Sequence, residues 1–244
     1  MADQPIDKLK KFCEYCGKPH EIKDTNFGLK ISLPTCKCNQ IKAQEKKEQE
    51  NLINKPLEEQ HKFHKKYEKT NMPLKYINRT WDNIDGINKE MIDVAKKWLL
   101  QKQYSLFLCG PRGTGKSLIC SILGKELIKK NYYVYYTKPI RIYNKIFDQS
   151  IDSSKHIEML KKVDYLIIDD ITKGIINNDW HKGIIYDIID QKYEDEKQII
   201  INCNEEDLML PKILYADVYD RIKEMCGKEF FVNLFSNKTK NFRE

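Results

Sequence analysis

The chain has 244 residues, 41% hydrophobic and 32% charged, and a net charge of +7. That is enough apolar material for one ordinary domain with a small companion, and it excludes wholesale disorder. Apolar runs such as Leu106–Cys109 and Tyr165–Ile168 are far shorter than the ~20 residues needed to span a bilayer, and MADQPIDKLKK at the start has no secretory apolar stretch; a soluble, cytoplasmic protein without a membrane partner is expected.

The first zone, residues 1–40, contains two close cysteine pairs, Cys13-x2-Cys16 and Cys36-x-Cys38, with 19 residues between them. Two pairs of thiolates on tight turns suit tetrahedral Zn2+, and so short a segment needs a metal staple because it cannot bury a core of its own. The C-x-C pair is tighter than the usual ligand spacing, which leaves His20 as an alternative ligand. A redox role for Cys13-x2-Cys16 is disfavoured, since no thioredoxin-like strand and helix surround it. The remaining cysteines, Cys109, Cys120, Cys203 and Cys226, lie in apolar or helical surroundings and read as buried free thiols.

Residues 41–72 are charged and helix-prone, a helical linker or arm expected to break at Pro56. Residues 1–75 carry 16 Lys against 11 acidic side chains, so most of the net charge lies here. A mild excess of this kind permits nucleic-acid contact without demanding it.

Residues 73–244 alternate apolar strand runs with amphipathic segments. Strands are expected at Ser105–Cys109, Tyr132–Thr137, Tyr165–Asp169, Gln198–Cys203 and Glu229–Phe235, with helices near 88–102, 116–130, 139–147, 155–162, 178–192 and 216–225. Such alternation predicts an α/β fold, a parallel five-stranded sheet with flanking helices.

After the first of these strands comes Gly110-Pro111-Arg112-Gly113-Thr114-Gly115-Lys116-Ser117-Leu118, which fits the phosphate-binding pattern G-x-x-x-x-G-K-[ST] between a strand and a helix. Gly113 and Gly115 let the backbone wrap a phosphate with its N–H groups inward, and the following helix adds the positive end of its dipole. Lys116 is expected at the β- and γ-phosphates of ATP or ADP and Ser117 on Mg2+.

The strand Tyr165–Ile168 ends in Asp169 and Asp170. Such a strand is expected beside the phosphate loop, Asp169 holding Mg2+ through water and Asp170 as the candidate general base, with a shorter arm than the glutamate often found there. The strand Gln198–Cys203 ends in polar amides; Asn204 is the candidate γ-phosphate sensor and Asn202 its competitor. Tyr132–Tyr136 with Lys129, Lys130, Lys138 and Arg141 could stack and neutralise a nucleic acid, but reads more simply as a strand with half its tyrosines packed. Trp81 and Trp98 read as core.

From Met72 onward the chain resembles the AAA+ helicase loaders of the DnaC/DnaI type and, more distantly, the IstB transposition ATPases. The resemblance rests on MPLKYINRTWDNI (72–84), LFLCGPRGTGKSLICSILGKEL (106–127), DYLIIDDI (164–171), QIIINCN (198–204) and DVYDRIKEMC (217–226). It implies an AAA+ ATPase that self-associates in a ring or spiral and binds single-stranded DNA. The zinc module would then grip a hexameric DnaB-type replicative helicase. It also implies that Arg221 acts in trans on a neighbour's γ-phosphate, the alternative being a surface arginine paired with Asp217 or Asp220. Two departures stand out. Only 23 residues follow Arg221, so the lid is expected to be truncated or absent, with Arg243 the one candidate second sensor. Lys192 stands where an arginine is expected. A transposition ATPase, or a nucleotide switch with little hydrolysis, are the alternative functions.

Overall fold

The computed structural model describes residues 12–24, 30–206 and 209–235; Arg243 lies outside them. The chain divides into two compact units, Met1–Lys62 and Phe63–Glu244.

In the first unit Cys13 and Gly17 close a tight turn, with the Cys13 N–H donating to Lys18 O at 2.8 Å and the Gly17 N–H to Cys13 O at 2.9 Å. Gly17 takes a left-handed φ of 66° there, where a side chain would add strain. An antiparallel hairpin follows, β1 (His20–Asp24) paired with β2 (Lys30–Pro34). Helix α1 (Cys38–Lys69) begins at the fourth cysteine and is continuous through Pro56, contrary to the expected break. A proline deletes one backbone hydrogen bond and crowds the preceding turn, at about 3 kcal/mol; the Lys-, Glu- and Gln-rich stretches on both sides favour helix strongly enough to absorb that.

The second unit opens with the last turns of α1, where Tyr67 is fully buried and donates its hydroxyl to Pro73 O at 2.8 Å. A single 3-10 turn (Leu74–Tyr76) leads to α2 (Lys89–Gln101), capped by Asn88, whose side chain accepts from Met91 N–H. Then come β3 (Leu106–Cys109), α3 (Lys116–Lys129), β4 (Val134–Thr137), α4 (Pro139–Phe147), α5 (Ser153–Lys162) and β5 (Tyr165–Ile171). The described chain continues through α6 (Asp179–Glu194), β6 (Ile199–Cys203), the short α7 (Leu210–Ile213), α8 (Ala216–Cys226) and β7 (Phe231–Asn233). Among the described residues only β7 follows α8 as a regular element.

The five strands form one parallel sheet in the order β4-β5-β6-β3-β7. Every residue of β3, β4 and β6 is buried, as a parallel sheet covered on both faces requires. One expectation changes: the strand at Tyr132 starts only at Val134, because Asn131 turns the chain at a φ of 66° and leaves Tyr132 and Tyr133 exposed. The acidic strand β5 is separated from β3 by β6.

The cysteines outside the first unit are all buried. Trp98 is fully buried and Trp81 packs partly buried against the core. Lys192 is fully buried as well, its ammonium donating to Val163 O and its pKa lowered to about 7 by desolvation. Val163 precedes β5, at the opposite end of that strand from Asp169, so Lys192 serves the packing of α6 and not the phosphate end of the sheet.

Candidate functional site

The carboxyl ends of the strands surround a cavity of about 310 Å3 lined by Arg112 to Leu118, Tyr76, Lys138, Asp170 and Asn204. Open parallel sheets place ligands in such crevices. Gly113 and Gly115 have φ values of 85° and 90°, and a Cβ on Gly115 would collide with the Ile87 side chain. The loop therefore needs glycine there for its backbone angle and for the close approach of the 72–87 segment.

Lys116 is 4% exposed, and its ammonium donates to Gly110 O at 2.8 Å, Pro111 O at 2.8 Å and Thr114 Oγ1 at 3.3 Å. Burial lowers its pKa to about 8. A charge so poorly solvated, resting on neutral acceptors, is primed to trade them for anionic phosphate oxygens. Gly110 and Pro111 thus act as carbonyl acceptors for Lys116, while the loop from Arg112 onward faces the cavity.

Ser117, one residue into α3, donates its hydroxyl to Asp169 Oδ1 at 2.9 Å. That bond uses the hydroxyl hydrogen, and with the Asn202 amide 3.4 Å away on one lone pair the oxygen keeps a second lone pair for a cation, the arrangement a Mg2+ site needs. Asp169 is 1% exposed; its Oδ1 also accepts from the Asn202 amide and its Oδ2 from the Tyr136 hydroxyl. Burial and the adjacent carboxylate push the Tyr136 phenol far up, so it stays a donor. Ser117 and Asp169 fit Mg2+ held through water, since both Asp169 oxygens already have protein partners.

Asp170 differs from Asp169 in reaching the cavity. It sits at a left-handed φ of 69° inside an irregularity where β5 has one residue more than β6 between Ile168 and Ile171, a bulge that turns consecutive side chains toward the same end of the sheet. Asn204 donates to Asp170 Oδ1, and Lys138 pairs with its Oδ2 at 3.1 Å while lying 3.6 Å from Asp169 Oδ2.

Tyr136, Lys138 and the second role of Asn202 escape a reading along the chain. Tyr136 lies near the end of β4 and Lys138 follows that strand, which β5 and β6 separate from β3, and only the strand order shows that their side chains meet the β5 carboxylates. The one available signal was the placement of polar groups at the ends of apolar strands.

Arg221 on α8 lies outside the lining of the cavity. Its guanidinium pairs with Asp190 on α6, not with Asp217 or Asp220, and lies over the rings of Tyr186 and Tyr193 at 5.4 and 5.5 Å.

In the first unit the sulfurs of Cys13, Cys16, Cys36 and Cys38 lie within 4.8 Å of one another. Four Zn–S bonds of about 2.3 Å imply S–S separations of roughly 3.8 Å in a tetrahedron, so a small contraction would close the shell. His20 is not in this group; its Nδ1 bonds to Ser32 Oγ at 2.8 Å. The crowded thiols ionise unequally: Cys13 is lowered to about 7 by the N–H groups of Tyr15 and Cys16, while Cys38 is pushed up to about 12 by Cys16 and Cys36. The cluster could hold zinc and would release protons on doing so. Elemental analysis should give one zinc per chain, and Cys16→Ser combined with Cys38→Ser should reduce it to below about a tenth.

Residues 54–208 match the model of the IstB-like ATP binding protein family. An IS21-like ATP-binding protein of Bacteroides fragilis is 22% identical over 230 residues, covering 90% of this chain and 81% of the relative. Among solved structures, the DnaC helicase loader matches with a TM-score of 0.55 at 20% identity over 63% of this chain and 96% of that one. DnaI matches with 0.55 at 18% identity, over 64% and 92%. AMPPCP-bound DnaA from Aquifex aeolicus matches with 0.57 at 22% identity, over 71% of this chain and 53% of that one. The chain spans about half the length of the replication-initiation structures it matches, 49%, 50% and 53%. These structural likenesses are of fold.

Proposed function

Since the chain belongs to the IstB-like ATP-binding family, and has the P-loop AAA+ fold, we propose that it is an ATP·Mg2+-dependent loader that places a hexameric replicative helicase on single-stranded DNA. The observation that carries the reading is the joint presence of two devices: a phosphate-and-cation constellation in one compact unit and a four-cysteine module leading into a long helix in the other. The fold shared with a protein described as a helicase loader supports it. So does the fold shared with DnaA bound to AMPPCP and single-stranded DNA.

In this reading Lys116 and the loop N–H groups bind the β- and γ-phosphates, and Ser117 and Asp169 would hold Mg2+, which would supply positive charge beside those phosphates. Asp170 orients and deprotonates water. Its carboxylate is engaged by the Lys138 ammonium at 3.1 Å and by the Asn204 amide, so those contacts have to open before it can take up a water, and an isolated chain hydrolyses slowly. Asn204, bonded to Asp170, reports the state of the γ-phosphate. Arg221 completes the site of a neighbouring copy in a ring or spiral. The cysteine module, with zinc, and the arm grip the helicase, and hydrolysis releases the loader. No helix among the described residues is long and apolar enough to cross a membrane; the proposed setting is the cytoplasm.

A second reading, an ATPase serving a transposase, is favoured by the IS21-like relative, whose match extends over 90% of this chain. Affinity purification of the intact chain with ATP separates the two: a ring helicase among the bound proteins is the expected result, and a transposase in its place overturns the loader reading. Phosphate release measured with helicase and single-stranded DNA present distinguishes an ATPase from a switch that hardly hydrolyses.

A further inference from the structure

Asn202 is 1% exposed and is the penultimate residue of β6, the strand that separates the phosphate-loop strand β3 from the acidic strand β5. Its two amide atoms are used in different directions. The oxygen accepts the Asp170 N–H at 3.0 Å. The nitrogen donates to Asp169 Oδ1 and lies 3.4 Å from Ser117 Oγ. One side chain therefore touches the backbone of the candidate base, the carboxylate of the candidate cation ligand and the hydroxyl that would share that cation.

The bulge explains why this is needed. Between Ile168 and Ile171 β5 has one residue more than its partner strand, so the ladder cannot satisfy every backbone group. The Asp170 N–H is left without a strand partner at a left-handed φ of 69°, a conformation that costs a non-glycine residue about 1 kcal/mol or more. The Asn202 oxygen fills that vacancy, and its nitrogen holds the preceding carboxylate from the same point. An aliphatic residue would fit the buried apolar run Ile199–Ile201 that precedes it, yet would leave a buried donor and a buried carboxylate each short of a partner.

We propose that Asn202 is the positioning residue of the cation site: a clamp across the β5 bulge that sets Asp169 toward Ser117 and Asp170 toward the cavity, without itself touching nucleotide. The role differs from that of Asn204, which lines the cavity, and it rests on the Mg2+-nucleotide reading given above. Partners that orient metal ligands typically change metal affinity or activity by about 10–100-fold when removed.

The test is a Mg2+ titration of the intact chain with a fluorescent ATP analogue, beside the same binding in excess chelator. Asn202→Ala should raise the half-saturating Mg2+ concentration by about 10-fold or more, leave chelator-insensitive binding to Lys116 and the loop within about twofold, and lower the turnover number with little change in the KM for nucleotide. Asn202→Thr suits a strand, and its single hydroxyl is too short to span both contacts; it should give an intermediate shift, and it stands in if the alanine variant does not fold. A folded variant of either kind with an unshifted Mg2+ midpoint overturns the clamp. Loss of chelator-insensitive binding in proportion overturns it too, because the amide would then be supporting the loop instead of the carboxylates. If the unsubstituted chain shows no Mg2+ dependence at all, the nucleotide reading fails first, and that outcome is visible before any variant is made.

Discussion

Lys116→Ala is expected to abolish ATP turnover, by at least about 10^2–10^3-fold, the usual cost of losing one preorganised charge or donor at the reacting phosphates. The ammonium is held by Gly110 O, Pro111 O and Thr114 Oγ1 in a pocket with 4% exposure, so solvent cannot replace it with a comparably placed cation. Lys116→Arg should not rescue turnover, because a planar guanidinium cannot occupy the volume or satisfy the three converging acceptors. On the loader reading, helicase capture through the cysteine module should survive in both variants, since that module is built within the other unit. Phosphate release assays and a pull-down on the same preparations check both halves. Unchanged turnover in a folded Lys116→Ala chain would end the enzymatic reading.

Arg221→Ala is expected to be comparably severe for a different reason. A trans-acting arginine accelerates phosphoryl transfer by about 10^3–10^5-fold, yet contributes little to holding ground-state ATP. Turnover in the presence of helicase and single-stranded DNA should therefore collapse while nucleotide binding stays within about twofold. The diagnostic experiment mixes the two inactive variants. In an assembly of equal parts, roughly one interface in four would join an intact phosphate loop to an intact Arg221, so activity should reappear. A cis role for Arg221, including the ion pair with Asp190 seen here, predicts no recovery on mixing.

The phosphate loop and the cysteine pairs were legible because their chemistry is local. Glycine angles, a strand before and a helix after are properties of a dozen consecutive residues, and Cys13, Cys16, Cys36 and Cys38 need only two turns and a hairpin to meet. The strand order was not legible in that way. Asp169 meets the loop through its bond to Ser117 although β6 lies between β5 and β3 in the sheet. Which strand fills that slot depends on packing between segments about ninety residues apart. The same non-locality hid Tyr136 and Lys138, and it hid Asp190 as the partner of Arg221, since neighbours within α8 were the local expectation. At Pro56 the local rule was sound and was outweighed by the helix-favouring residues around it.

The position of β6 also bears on how the chain is made. Emerging from a ribosome, β3 and β5 are complete by residue 171, but the strand that must separate them is synthesised only at 199–203. For that interval two apolar parallel strands wait with unfilled edges, free to pair with each other or with a second nascent chain. Acquisition of the nucleotide site would then be a late event in biosynthesis, with chaperone dependence concentrated in the stretch of translation between β5 and β6.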